Sequence, residues 1–290
     1  MIYRARIYTF PLFTLAALLA IPAFAFAEAT EQTIKPTSSV AMSIGTDSLQ
    51  NRSRQFQLNI EFSTYHQISA GYGDLRSTAS SLNTNQYYFG VATSPYEKYS
   101  AGIEYSKWGK NKKLEIESLQ TDLYANYANW SIGLSPQINR VWLYANNGNS
   151  YGVSSKGISI SANYYGVDPY FFGFNVLENK ITNNTRFLET PALREIALRR
   201  LSVSAQLLIS GLEKDHQGVS IGRYFQWGSL ELEWTKSNAA LVDFQTDTRS
   251  FILDYQLTTN FSLNLIASQQ ISNASSKPLQ AIDLGISAYW

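Results

Sequence analysis

Alternation with a period of two runs through this chain and restricts it to β structure. "QFQLNIEFS" sets Phe56, Leu58, Ile60 and Phe62 against Gln57, Asn59 and Glu61. "SLELEWTKS" sets Leu230, Leu232 and Trp234 against Glu231 and Glu233. "FSLNLIAS", "LSVSAQLLIS", "GISISANYY" and "SAGIEYSKW" repeat the design. Successive residues of a strand point to opposite faces, so each run makes a strand with one apolar and one polar face. Tyr, Phe, Trp, Val, Ile and Thr fill the runs, as a pleated surface favours.

The first residues decide where such strands are used. Arg4 and Arg6 precede an apolar run from Phe10 to Ile21, and Ala25-Phe26-Ala27 ends in small residues before Glu28. That order reads as a secretory leader, residues 1–27, followed by a periplasmic lead-in, 28–37, and one barrel domain, 38–290. Losing Arg4 and Arg6 takes two from the chain's net charge of +1, leaving about −1. Such a balance gives no footing for nucleic acid. The 290 residues include no cysteine, so disulfides, metal thiolates and thiol nucleophiles are excluded.

No run after the leader reaches the ~18 apolar residues of a membrane helix. The connections instead take turns in length. Tight ones fall at "YANWS", "FQWGS", "LTTNFS" and "SPYEKYS"; longer polar ones at "DLRSTASSLNTN", "WGKNKK", "ANNGNS", "EKDHQG", "SNAALVDFQTD" and "ISNASSKP". Short turns at one end and long loops at the other are the pattern of an antiparallel up-and-down β-barrel in an outer membrane, with aromatic girdles at the interfaces. The other arrangement for strands like these is a soluble β-sandwich, which needs shorter strands and a more charged outer face.

The chain ends "AIDLGISAYW", with Ile282, Leu284, Ile286, Ala288 and Trp290 on one parity. Alternate apolar residues closing on an aromatic resemble the C-terminal targeting signal of Gram-negative outer-membrane β-barrel proteins, porin-like in kind. The resemblance implies a cell outer-membrane location, the barrel assembly machinery as a partner in biogenesis, and contact with outer-membrane lipid and lipopolysaccharide. Lysines of "KWGKNKK" are candidates for lipopolysaccharide phosphates, or simply a solvated turn.

Runs of alternation predict sixteen strands, with 185–190 and 199–211 as the tenth and eleventh; fourteen or twelve remain as alternatives. Between Ile132–Leu134 and Val141–Leu143 the apolar parity changes, which predicts a β-bulge from Pro136 to Arg140.

If the apolar parity faces lipid, Glu61, Glu104, Asp122, Glu231, Glu233, Asp254 and Asp283 face inward, with few cations beside them. A wide barrel lined by carboxylates concentrates cations and repels anions. The expectation is a mildly cation-preferring passive pore for small hydrophilic solutes or ions. The competing expectation is a lumen closed by residues 178–198, with Arg186, Arg194 and Arg199 pairing these acids. That would suit a structural or glycan-export role, for which Tyr88, Tyr124 and Tyr165 supply aromatic lining.

Enzyme signatures are thin. G-x-S-x-G, P-loop, dinucleotide and zinc spacings are absent, so no cofactor is expected. Of two histidines, His66 reads at a tight turn and His216 at an outside loop tip beside Asp215, with Ser220 near. A weak hydrolase alternative rests on His216, because acyl chemistry needs nucleophile, base and orienting acid together.

Overall fold

The computed structural model describes residues 38–63, 66–76, 83–93, 98–110, 114–144, 150–182, 213–239, 245–273 and 275–290. The leader, the lead-in up to residue 37 and Arg186, Arg194 and Arg199 lie outside the described residues.

Fourteen strands form one antiparallel closed barrel. They are β1 (Ser39–Asp47), β2 (Arg52–Ser63), β3 (His66–Arg76), β4 (Asn83–Thr93), β5 (Tyr99–Lys110), β6 (Leu114–Tyr127), β7 (Trp130–Tyr144), β8 (Ser150–Val167), β9 (Tyr170–Thr182), β10 (Glu213–Phe225), β11 (Gly228–Ala239), β12 (Gln245–Thr258), β13 (Phe261–Ser272) and β14 (Ser275–Tyr289). Each strand pairs with its neighbours in sequence, and β1 closes on β14 from Ser39↔Tyr289 to Asp47↔Ala281. A closed barrel has no free edge, so every strand's backbone groups are met within the protein, as a hydrocarbon environment demands.

The expected sixteen strands are corrected to fourteen. β9 and β10 pair directly, from Tyr170↔Arg223 to Glu178↔Asp215, leaving no place for a strand between them. The two surplus assignments, 185–190 and 199–211, fall outside the described residues. A period-two run announces an amphipathic face but says nothing of its partner. Within the segment 178–198 expected to close the lumen, Glu178 to Thr182 continue β9.

A second correction concerns β7. Its register with β8 is unbroken from Trp130↔Tyr164 to Tyr144↔Ser150, so no bulge lies between Pro136 and Arg140. The apolar parity changes there because Val141 turns inward and is buried, while Ile132, Leu134 and Ile138 stay outside. Register shifts occur elsewhere, among them Tyr164/Val167 and Gln256/Thr258, beside tight turns.

The outward face is apolar and uncovered by protein: Met42 is 58% exposed, Ile103 53%, Ile158 53% and Leu284 51%. Soluble proteins do not leave a continuous band of this kind in water. No described helix is long and apolar enough to cross a membrane; the strands are the crossing elements. Two-residue turns join the strands at one end, at Ala128-Asn129, Asp168-Pro169, Gln226-Trp227 and Thr259-Asn260. The Gln226-Trp227 turn is followed by Gly228 at φ +146°, a backbone region closed to other residues, where a Cβ would strike the Asp254 carbonyl oxygen. Ser38 and Trp290 sit at this same end; in outer-membrane barrels the short turns mark the periplasmic end.

Candidate functional site

The interior is what such a barrel offers chemically. Cross-strand registers assign every inward position, because partners on neighbouring strands share a face. Ser39↔Asn59↔Ser69↔Gly90↔Glu104↔Gln120↔Gln137 is one such chain across seven strands. By this assignment Glu61, Glu104, Asp122, Glu231, Glu233, Asp254 and Asp283 all occupy inward positions. So does Asp47, which the alternation did not single out because it ends its strand. Among the described residues, one inward position held in register carries a basic residue, Lys110 opposite Leu114 at the loop end of β5; those of the short-turn half carry no lysine or arginine.

The acids divide by height. Six lie in the short-turn half: Glu61 close to Ser63, Glu104 on the rise from Tyr99, Asp122 above Tyr127, Glu231 and Glu233 above Gly228, Asp254 above Thr258. The other half carries a different lining. Leu75, Trp108, Ile116, Val141 and Leu279 also point inward and are buried. Alternation cannot foresee them: an inward leucine near a strand end only looks like a break in the pattern. The lumen wall therefore carries most of its acids toward the short turns, and toward the loops it buries these apolar side chains among polar ones such as Thr84, Asn139, Ser155 and Thr248.

Local bonding separates structural acids from available ones. Asp47 accepts from the backbone N–H of Leu49 and Asn51, at 2.9 and 3.0 Å, and from Asn51 Nδ2 at 2.9 Å. Asp283, 6% exposed, accepts from Ser53 Oγ at 3.1 Å. Asp122 accepts from Gln120 Nε2 at 2.7 Å and Ser135 Oγ at 2.5 Å. Asp254, exposed, accepts from Asn264 Nδ2 at 2.6 Å. Glu231 and Glu233 stand two residues apart on one face of β11, and Asp254 pairs with Ser229 just below them. Glu61 keeps one carboxylate oxygen buried without a hydrogen-bond partner.

A belt of neutral hydrogen bonds stiffens the wall. Ser118 Oγ donates to Asn139 Oδ1 at 2.6 Å, Asn139 Nδ2 donates to Ser155 Oγ at 3.1 Å, and Gln137 Nε2 donates to Asn179 Oδ1 at 3.0 Å. Inward rings lie flat over cross-strand glycines: Tyr88 over Gly71, Tyr124 over Gly133 and Phe171 over Gly222, in each case where a Cβ would meet the ring. Phe171 also packs on Tyr224 at 4.7 Å and Tyr165 at 6.4 Å between ring centroids. Laid against the wall, these rings take up less of the bore than upright ones would.

His216 is corrected from a loop tip to β10, opposite Leu177 and Ser237 and facing inward. Asp215, next in the strand, faces outward, where it accepts from Asn238 Nδ2 at 2.5 Å. The pair behind the hydrolase alternative is therefore not assembled. His66 opens β3 on the outer face and stacks on Phe62 at 5.7 Å. Among the described residues no group of three His, Asp or Glu is placed to hold a metal ion.

Ile282, Leu284 and Ile286 are about half exposed on the outer face, with Ala288 on the same parity, and Trp290 is 60% exposed. Trp290 also exchanges backbone hydrogen bonds with Ser38.

No family model matches the chain, and no curated protein matches it. Among solved structures, the CymD monoaromatic hydrocarbon channel superposes with a TM-score of 0.51 at 8% identity, covering 88% of this chain and 88% of that one. The NanC porin reaches 0.47 at 9% identity, over 86% of this chain and 98% of that one. The KdgM porin in complex with disordered oligogalacturonate reaches 0.43 at 8%, over 87% and 99%. At such identities the likeness is one of fold: this chain has the closed antiparallel barrel of outer-membrane porins and channels.

Proposed function

We propose that the protein is a passive outer-membrane pore for small hydrophilic solutes or ions, with a mild preference for cations. One observation carries the reading: among the described residues, the inward in-register positions of the short-turn half hold carboxylates and no lysine or arginine. A one-signed lining in a low-dielectric wall raises the local concentration of counter-ions. Glu231, Glu233 and Asp254 are the acids best placed to act, grouped on adjacent strands in the short-turn half. Asp47 and Asp283 are already engaged in hydrogen bonds and contribute to the wall more than to the solute path. Fourteen strands enclose more than the ~8 that side chains alone fill. The fold is also one on which solved channels are built.

A second reading has its own support. The buried inward layer of Leu75, Trp108, Ile116, Val141 and Leu279 favours a bore closed toward the loop end, and with it a structural or export-partner role.

Single-channel conductance of the purified protein in a planar bilayer, under a salt gradient, separates the two. Steady conductance with a reversal potential on the cation side supports the pore. A correctly inserted barrel that passes no current favours the closed lumen, and anion preference removes the role given to the carboxylates.

A further inference from the structure

The outer wall carries a second charged feature, of opposite sign to the lumen. On β2 and β3, just beyond the apolar band toward the loop end, Arg52, Arg54 and Arg76 all face outward and are exposed. Arg52 stands directly opposite Arg76, and Arg54 opposite Asp74. Arg76 Nε donates to Asp74 Oδ2 at 2.9 Å, which holds its guanidinium in place while the side chain stays 62% exposed. Thr46 on β1 and Asn83 and Asn85 on β4 flank the patch without adding charge. The next cation along the wall, Lys107, is bound to Glu115 at 3.0 Å and Glu117 at 3.4 Å. Three guanidiniums therefore share one carboxylate.

Opposed like charges on one face of a sheet cost stability unless something lies between them. The height of this pair tells what that is. Directly below it, Tyr72 and Tyr87 pair across β3 and β4 with ring centroids 5.3 Å apart, and Phe56 lies beside them. Aromatics of this kind mark the edge of the hydrocarbon, so the arginines stand at head-group level. At the loop end that leaflet is the outer one. Arginine forks bind phosphate oxygens bidentately, which a lysine cannot do.

We propose that Arg52, Arg54 and Arg76 form a binding site for the phosphate of an outer-leaflet glycolipid, lipopolysaccharide in a Gram-negative envelope. The site does not depend on whether the lumen conducts. The phosphate lies between Arg52 and Arg76, with Arg54 closing from below; Asp74 orients Arg76 and limits the site to one phosphate group. The patch would anchor the β1–β4 side of the barrel to the leaflet.

The test uses barrel purified from outer membranes and freed of lipid. Lipopolysaccharide, its enzymatically dephosphorylated form and inorganic phosphate are each titrated while the heat-modifiable shift is followed. The expected result is stabilisation by intact lipopolysaccharide alone, with half-effective concentration raised about tenfold or more in Arg52→Gln/Arg76→Gln, since each charge-assisted bond is worth about one decade in affinity. Arg52→Lys/Arg76→Lys should fall between. Arg140→Gln/Lys156→Gln, outward on β7 and β8, should match the wild type. Equal response to dephosphorylated lipopolysaccharide, equal response to free phosphate, or equal loss in the β7/β8 variant would each overturn the site. The lipid comparison on the unaltered protein decides the matter even if the arginine variants do not assemble.

Discussion

Ser38 and Trp290 exchange both of their backbone hydrogen bonds: Ser38 N–H donates to the Trp290 carbonyl at 3.1 Å, and Trp290 N–H donates to the Ser38 carbonyl at 3.0 Å. The pair continues the β1–β14 ladder past Ser39↔Tyr289, so the last residue takes part in closing the barrel as well as presenting an aromatic ring outward. These two contributions separate experimentally. Trp290→Ala/Ile286→Ala keeps the backbone pair and should lower the amount of heat-modifiable barrel reaching the outer membrane. Deletion of Trp290 should also lower the unfolding free energy of the barrel that does assemble, read from urea unfolding, by about 1–3 kcal/mol for two backbone bonds. Normal amounts of assembled barrel after the double substitution would remove the targeting role of the ending.

Asn139 is fully buried in the lumen wall and bonded on both sides, to Ser118 and Ser155. Asn139→Ala strands two hydroxyls and should cost about 1–3 kcal/mol. Gln137→Ala, which breaks only the bond to Asn179, should cost less. Urea unfolding monitored by intrinsic tryptophan fluorescence measures both. An Asn139→Ala midpoint equal to the wild type would mean that the polar belt is not where the wall's stability resides.

How much of this was legible beforehand follows from what alternation encodes. A period of two assigns faces, so the inward parity of Glu61, Glu104, Asp122, Glu231 and Glu233 could be read from their apolar neighbours. It does not encode partners, which is why two further runs near 185–190 and 199–211 entered a barrel that closes without them. It also fails where the inside is itself apolar. Val141 looks like a parity switch in "INRVWL" and is in fact an inward residue packed at the level of Ile116, its register partner on β6. His216 misled for a related reason: "EKDHQG" is polar enough to read as a loop, yet its residues are the first of β10, where neither face of the strand carries the apolar run that marks the membrane band. Polar composition marks a loop only where a strand would have an apolar side to bury.

The two classes of lumen acid predict different phenotypes. Glu231→Gln/Glu233→Gln removes charge from the short-turn half and should move the reversal potential toward zero while leaving the urea midpoint nearly unchanged. Asp283→Asn and Asp47→Asn, at 6% and 7% exposed residues, should do the opposite. Conductance and unfolding measured on the same preparations check this. Selectivity lost through Asp283 and kept without Glu231 and Glu233 would reverse the assignment of roles.

Gly45 and Asp283 test how the seam was made to fit. They are register partners on β1 and β14, and a Cβ on Gly45 would collide with the Asp283 carboxylate and crowd the hydroxyl of Ser53 that donates to it. Asp283 therefore occupies the volume that the absent side chain leaves. Gly45→Ala should displace the carboxylate, break the bond to Ser53 and cost about 1–3 kcal/mol. Asp283→Ala alone should cost a comparable amount by leaving Ser53 and a void. Because one substitution removes the obstacle the other meets, the double variant should be more stable than the sum of the two losses, with a coupling of about 1 kcal/mol or more. Urea midpoints of the four proteins complete the cycle. Strict additivity would show that Gly45 does not make room for Asp283, and would place the seam's stability in the backbone ladder alone.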